Sequence, residues 1–165
     1  MRSRIQTKEK QSIAVKNDID QLKKTGFLSE FDDAIVEKIV NISGIKEFRV
    51  KEVIIEEHQE LSELYILIEG MVIIGINVSR KGKINLNTIH PGQLFSWSAI
   101  FPPYISTASA VATQPVRVLA INSARLVKMF EEDPLFGFKF MNIISRTLSQ
   151  RLSDTRLQLV NITSL

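Results

Sequence analysis

Cysteine is absent from the 165 residues, which excludes a disulfide scaffold, a thiol nucleophile and any thiolate-held zinc or iron–sulfur centre. A reducing, cytoplasmic setting is therefore expected. One-sided charge is also missing: 21 basic residues face 18 acidic ones for a net charge of +3, so neither charge-driven disorder nor a broadly basic nucleic-acid surface is indicated. Long apolar runs are lacking too. The most apolar stretch, Leu64 to Ile76, is interrupted by Glu69, Gly70 and Gly75 and falls well short of the roughly 20 residues that span a bilayer. Met1 to Lys10 is basic, but no apolar segment comes after it, so it does not read as a secretory signal and no membrane association is expected. No Ser-His-Asp arrangement, phosphate-binding loop or His-Glu-x-x-His run is visible, and no catalytic role is expected.

What the chain does have is a hydrophobic content of 44%, enough at this length for one compact domain with a core and one or two appended helices. The pattern divides it into a basic arm over residues 1–24, a body over 25–133 and a long helix over 134–165. The arm holds seven Lys or Arg against three acids. Ile5, Ile13, Ile19 and Leu22 recur in it at loosely helical spacing, so it reads either as a helix docked on the body or a partner, or as a solvated extension.

In the body, Ser29 followed by Asp32 and Asp33 is a capping-box pattern that predicts a short helix over about Glu30–Asn41, closed by Gly44. The pattern then becomes that of strands. Short Ile- and Val-rich runs cover Ile45–Val50, Val53–Glu56, Leu64–Ile68, Val72–Val78, Lys83–Ile89, Ala108–Ala112 and Val116–Ile121. Turn signals separate them, among them Glu69-Gly70, Ser79-Arg80-Lys81-Gly82, Pro91-Gly92 and Gln114-Pro115. No helical pattern lies between the strands, so the fold class expected is mainly β with flanking helices, a jelly roll or sandwich rather than a parallel α/β sheet.

Asn122 or Ser123 can cap a short helix through Glu132, and Asp133-Pro134 starts another with proline in its first turn. In this second helix Leu135, Phe138, Met141, Ile144, Leu148, Leu152, Thr155, Leu159 and Ile162 recur at three- and four-residue steps, with Arg146, Arg151 and Arg156 read as its polar face. The stripe outlasts what one small sandwich covers. Residues 141–162 are therefore expected to meet a second copy in a parallel two-helix seam, softened by Arg151 and Thr155; the alternative is that the helix folds back over its own roll.

This order of elements resembles the cyclic nucleotide-binding domain, the family of the catabolite activator protein and the kinase regulatory subunits. Local runs carry the same likeness: Leu64-Tyr65-Ile66-Leu67-Ile68-Glu69-Gly70 is similar to the family's strand and turn, His90-Pro91-Gly92-Gln93-Leu94-Phe95 to its approach to the ligand cassette, and Ser106 to Ala112 to the strand that leaves it. The likeness spans about Leu22 to Leu159. It implies a double-stranded β-helix with N-terminal helices, a C-terminal dimerisation helix, and a ligand site at Phe95, Ser96, Trp97, Ser98, Ala99, Ser106, Thr107 and Ala108.

In the family the cassette reads Phe-Gly-Glu, a helical turn, then Arg-x-Ala. The glycine admits the backbone close to the cyclic phosphate, the Glu accepts from the ribose hydroxyl, and helix-terminal N–H groups and the Arg neutralise the phosphate. By this likeness Ser96 stands for the glycine, Trp97 for the Glu and Ser106 for the Arg. Phosphate would retain backbone donors and the hydroxyls of Ser98, Ser106 and Thr107. It would lose a charge-assisted bond of about 1.5–3 kcal/mol and face a further desolvation deficit. Affinity for cyclic AMP or cyclic GMP is therefore expected to fall by at least about two or three decades.

Nothing in the sequence aims Arg80, Lys81, Lys83 or Arg117 at the cassette; they read as solvated turn and edge charges. Trp97 either fills the vacated ribose position or offers a stacking face and an N–H to a different ligand. Phe101-Pro102-Pro103-Tyr104 is similar to the Trp-Ser-Ala-x-x-Pro-Pro-Tyr cassette of a bacterial subset, in which a basic residue comes after the Tyr; here Ile105 and Ser106 take that place.

The function expected is that of a homodimeric regulatory or sensor domain with weakened or lost cyclic AMP and cyclic GMP binding, no cofactor, and an unidentified small-molecule ligand or regulatory protein partner. A ligand-independent dimeric interaction module and a true cyclic nucleotide sensor are the alternatives. A cupin-like metal enzyme or haem sensor would have to draw on His58 and His90, which lack companion ligands. Glu52, Glu56, Glu57, Glu60 and Glu63 read as a solvated acidic face. No helix-turn-helix pattern is seen up to Leu165, so sequence-specific DNA binding is not expected.

Overall fold

The computed structural model describes residues 17–24, 26–80 and 82–163, with side chains up to 157. Residues 1–16 of the basic arm and Lys81 lie outside the described residues. The helical segment at 17–24 (α1) is followed by a 3₁₀ turn at Phe27–Glu30, α2 at Asp33–Asn41, strands β1 Ser43–Phe48, β2 Val53–Ile55, β3 Glu63–Glu69, β4 Val72–Val78, β5 Gly82–Ile89 and β6 Leu94–Phe95, a second 3₁₀ turn at Trp97–Ile100, then β7 Ser109–Ala112, β8 Val116–Asn122, α3 Ser123–Glu132 and α4 Pro134–Thr163.

The strands form two antiparallel four-stranded sheets of order β1-β8-β3-β6 and β2-β7-β4-β5. Pairs such as Leu64 with Ile121 and Ile66 with Leu119 set the register at the centre of the first sheet. That sheet is covered on both faces, which explains why Leu64 to Ile68 is continuously apolar instead of alternating. Tyr65 and Leu67 join Val118, Ala120, Phe95, Val72 and Ala110 in a core between the sheets. Leu64, Ile66 and Ile68 join a second core under the helices with Leu28, Val36, Ile39 and Leu126.

Five phenylalanines seal this second core where α3 and α4 meet the first 3₁₀ turn. Phe140 is fully buried, with Phe27 and Phe130 at ring-centre distances of 4.8 and 5.0 Å. Burying side chains of this size stabilises the fold by about 1.5–3 kcal/mol each. Gly137 lets the two helices close in, since a Cβ there would lie 3.0 Å from the Phe130 Cβ. Gly26, at φ 79°, does the same for the first 3₁₀ turn; a Cβ would strike the carbonyl of Gly92, which accepts from the Phe27 N–H at 2.9 Å.

Several expected boundaries shift. Helix α2 starts at Asp33, because the Asp32 carboxylate, rather than Ser29, accepts from the Ile35 N–H; Ser29 instead closes the preceding turn on the Gly26 carbonyl. Gly44 does not end that helix. It pairs with Ala120 inside β1, and the helix stops when Ile42 bonds back to Ile39 and Val40. At the C-terminal side Asn122 and Asp133 cap α3 and α4 as the sequence suggests, accepting from Arg125 and Phe136 N–H groups.

The expected single stripe of α4 is divided. Phe136, Phe140, Ile143 and Ile144 are the residues that bury against their own roll, Met141 and Leu148 are half-buried, and Leu135, Phe138 and Leu152 are 82%, 68% and 53% exposed. The helix thus folds back on its own chain along one face and keeps a second apolar edge in solvent. The side chains of Leu159 and Ile162 lie outside the described residues. Residues Ile19 and Leu22 of α1 are buried, and the Asp18 carboxylate grips Arg117 of β8, with 3.2 Å from Nη1 to Oδ1. That guanidinium also reaches Glu47 and Glu69, so Arg117 is committed to docking α1.

Candidate functional site

The site is built by the short strand β6, the 3₁₀ turn after it and the segment that returns at Ser106 to Ala108. Tyr65 pairs with Phe95 and Ile66 with Leu94, which carries the chain to the edge of the first sheet. There Ser96 turns into the left-handed region at φ 68°, ψ 29°, and its Oγ donates to the Glu63 carbonyl at 2.9 Å. Serine thus adopts the backbone shape for which glycine is favoured, tied down by one side-chain hydrogen bond. The 3₁₀ turn opens with the Ala99 N–H on the Ser96 carbonyl at 3.0 Å.

After the Pro102-Pro103 step the chain returns beside residues 58–61. The Ser106 N–H donates to Gln59, and the His58 and Leu61 N–H groups donate to Ser106 and Tyr104, with Glu60 bridging Ile105. These bonds fix Ser106, Thr107 and Ala108 opposite the turn. Seven of the eight expected site residues, Phe95, Ser96, Trp97, Ser98, Ser106, Thr107 and Ala108, line one cavity. Ala99 does not; it is buried in the inter-sheet core.

The cavity is about 50 Å³ in volume. Small-molecule pockets generally enclose about 300–1,000 Å³. The hydroxyl of Ser106 is moreover spent on its own segment, donating to the Ala108 carbonyl and accepting from the Ala108 N–H. It does not offer the cavity the donor expected of it.

One group at the cavity was not anticipated there. Arg151, assigned from the sequence to the polar face of α4, is half-buried and lines the same cavity. Its Nη2 donates to the Leu94 carbonyl at 2.6 Å, and its guanidinium carbon lies 4.4 Å from the centre of the Trp97 ring. Among the described residues no carboxylate pairs with it. Burial lowers its pKa to about 10, so it remains charged at neutral pH while partly stripped of water. The expectation that no cation faces the cassette is thereby corrected. The clue available in sequence was its position: at steps of four and three from Ile144, it occupies a body-facing place on the helix.

Other charged groups fall into place as structure. Glu63 pairs with Lys46 and accepts from the Tyr65 hydroxyl at 2.9 Å, Glu57 accepts from the Asn77 N–H, and Glu52 from the Arg49 N–H. The acidic run is thus partly a set of local clamps. Burial and the Glu63 carboxylate push the Tyr65 phenol upward from its ordinary range. A larger open groove of about 850 Å³ lies along Glu47, Arg49, Glu52, Glu69 and Arg117, where the arginine is already engaged by Asp18. Among the described residues no three His, Asp or Glu side chains converge as metal ligands, and no helix is long and apolar enough to cross a membrane.

Residues 45–133 match the family model of the cyclic nucleotide-binding domain. The chain is similar to a solved protein of Geobacter metallireducens GS-15 named as cyclic nucleotide-binding, with 32% identity, a TM-score of 0.71, and coverage of 81% of this chain and 96% of that one. It shares its fold with the catabolite activator protein of Thermus thermophilus (18% identity, TM-score 0.66, 81% and 61% covered). The same holds for CLP, the c-di-GMP responsive global regulator of Xanthomonas campestris (17%, 0.71, 81% and 66%). The chain spans less than two thirds of either of these last two. No curated protein sequence matches it.

Proposed function

Because the chain belongs to the cyclic nucleotide-binding domain family, a family of regulatory domains, we propose that it is a sensor or regulatory domain that works as a homodimer and binds cyclic AMP and cyclic GMP weakly or not at all. The observation that carries this reading is the filled cassette: Trp97 and Arg151 leave a cavity of about 50 Å³ where the family's nucleotide would sit. The missing cassette Glu supports it independently, since the ribose hydroxyl loses its acceptor, while the cation at the cavity, Arg151, is covered by the Trp97 ring and donates to the Leu94 carbonyl. Dimerisation through residues 141–162 is supported by the exposed edge of α4, where Leu152 stands 53% exposed between half-buried Leu148 and Thr155.

A ligand-independent dimeric interaction module is the second reading, favoured by the same small cavity. Neither reading assigns the chain catalysis or a cofactor, and a cytoplasmic location accords with its lack of cysteine. The test is a thermal melt with cyclic AMP and cyclic GMP in excess. A ligand at a hundredfold over its dissociation constant adds about 2.7 kcal/mol, so an unmoved midpoint is expected and a clear upward shift refutes the proposal.

A further inference from the structure

Arg151 combines features that a purely structural arginine would not need. It is half-buried and lines a cavity, and among the described residues its hydrogen-bonded partner is a single neutral carbonyl, that of Leu94. A guanidinium has five N–H donors in a planar fork. The Trp97 ring compensates part of the charge through its π face, but it accepts none of those donors in the plane of the fork. The remaining donors are matched to a two-oxygen acceptor. In the same cavity wall, the hydroxyls of Ser98 and Thr107 make no side-chain hydrogen bond among the described residues.

The shape of the slot is set by its present occupant. A flat indole packs against the guanidinium and the partly buried side of the helix core, beside the cavity of about 50 Å³. Residue Trp97 sits at the first position of a short 3₁₀ turn, directly after the left-handed Ser96, and is itself only partly buried. A planar organic anion in place of the indole satisfies the guanidinium better, because its carboxylate offers two oxygens in the plane of the fork where the indole offers only a face.

Resting on the reading of the cassette as closed to cyclic nucleotides, we propose that this site takes a small planar organic anion, an aromatic carboxylate in its simplest form, recognised by Arg151 from α4 and admitted by displacement of Trp97. The cationic group then comes from the long helix instead of the β-roll. Occupation of the cavity transfers the guanidinium from the indole to the ligand and so acts directly on the helix that carries the exposed apolar edge.

Trp97 is the only tryptophan in the chain, so its fluorescence reports on this one place. Benzoate titrated into the full chain is expected to give a saturable change in tryptophan emission as the indole leaves the guanidinium, and the neutral isostere benzamide none over the same range. In Arg151→Met the benzoate midpoint should weaken at least tenfold. Arg151→Lys, which keeps the charge but loses the fork and the stacking plane, should weaken it severalfold and serves if the methionine variant does not fold. The proposal is overturned by a silent benzoate titration, by an equal response to benzamide, or by a midpoint unchanged in a folded Arg151 variant. Cyclic AMP in a parallel titration separates the two readings. A tight cyclic AMP response defeats the closed-cassette reading whatever benzoate does, whereas silence from both ligands defeats the Arg151 assignment alone.

Discussion

The guanidinium of Arg151 and the ring of Trp97, 54 positions apart in sequence, stack at 4.4 Å and join the long helix to the cassette turn. A cation over an indole contributes about 0.5–1 kcal/mol at exposed sites and roughly 2 kcal/mol or more when desolvated. Because this pair is half-buried, a double-mutant cycle of Trp97→Leu and Arg151→Met should return a favourable coupling of about 1–2 kcal/mol in urea unfolding. Strict additivity of the two substitutions would show that the stack contributes nothing.

Ser96 poses a separate question, since its Cβ is held in the left-handed region while its Oγ gains the Glu63 carbonyl. Ser96→Ala keeps the backbone cost and loses the hydrogen bond, so it should destabilise the fold by about 1 kcal/mol. Ser96→Gly loses the same bond but removes a conformational cost of about 1–2 kcal/mol, and should lie close to the parent. The ordering Gly above Ala in chemical denaturation is the expected result. The reverse order would mean that the turn is not left-handed at this residue.

These two residues also show what was legible in the chain and what was not. The strands were readable because Ile and Val runs bounded by Glu69-Gly70 or Pro91-Gly92 have few other uses in a short sequence. Strand β6 escaped because Leu94–Phe95 is too short to display any period. Gly44 looked like a helix stop, yet its pairing with Ala120 is decided by β8, a partner more than 70 residues away. Arg151 was hidden for a different reason. Charge on a helix reads as solvated face, and only the arrival of Trp97 from the cassette shows that this position looks inward. The cassette itself was located through the family likeness, whereas its contents depended on a helix that pattern alone could not dock.

Tyr65 gives the chain a sign-definite response to alkali. Its hydroxyl donates to Glu63, and burial together with that carboxylate raises its pKa above the ordinary 10.0. An acid raised in the folded state is favoured while protonated. The stabilisation is therefore fully present below pH 10, and it is lost as the unfolded chain begins to ionise its phenol above that value. The stability difference between the parent and Tyr65→Phe should be constant from neutrality to about pH 10 and should shrink beyond it. A difference that grows with alkali would contradict the assigned hydrogen bond.

The docking of α1 should be separable from the fold of the roll. Asp18 is 7% exposed and faces Arg117, which also has Glu47 and Glu69 within 3.4 and 3.7 Å. Breaking a buried pair costs about 3–5 kcal/mol when the survivor is left alone, but here the survivor is partly solvated and has other acids nearby. Asp18→Asn should therefore cost on the order of 1–2 kcal/mol. It should expose the segment at 17–24 to limited proteolysis before the roll opens. Simultaneous digestion of arm and roll would show that α1 is an inseparable part of the core.

The two apolar faces of α4 predict opposite consequences for the same kind of substitution. Phe140 is fully buried in its own chain, and Phe140→Ala should cost about 3–5 kcal/mol of folding stability in monomer and dimer alike. Leu152 is 53% exposed, so Leu152→Asp removes little from the fold of one chain. In a parallel seam, however, it would place two carboxylates face to face at an apolar position, where burial disfavours both charges. Light scattering should then find Leu152→Asp monomeric with a near-parental far-ultraviolet spectrum, and Phe140→Ala less stable but still dimeric at high concentration. If Leu152→Asp retains the dimer mass, the copies do not meet along this edge, and the exposed Phe138 and Leu135 become the next positions to replace.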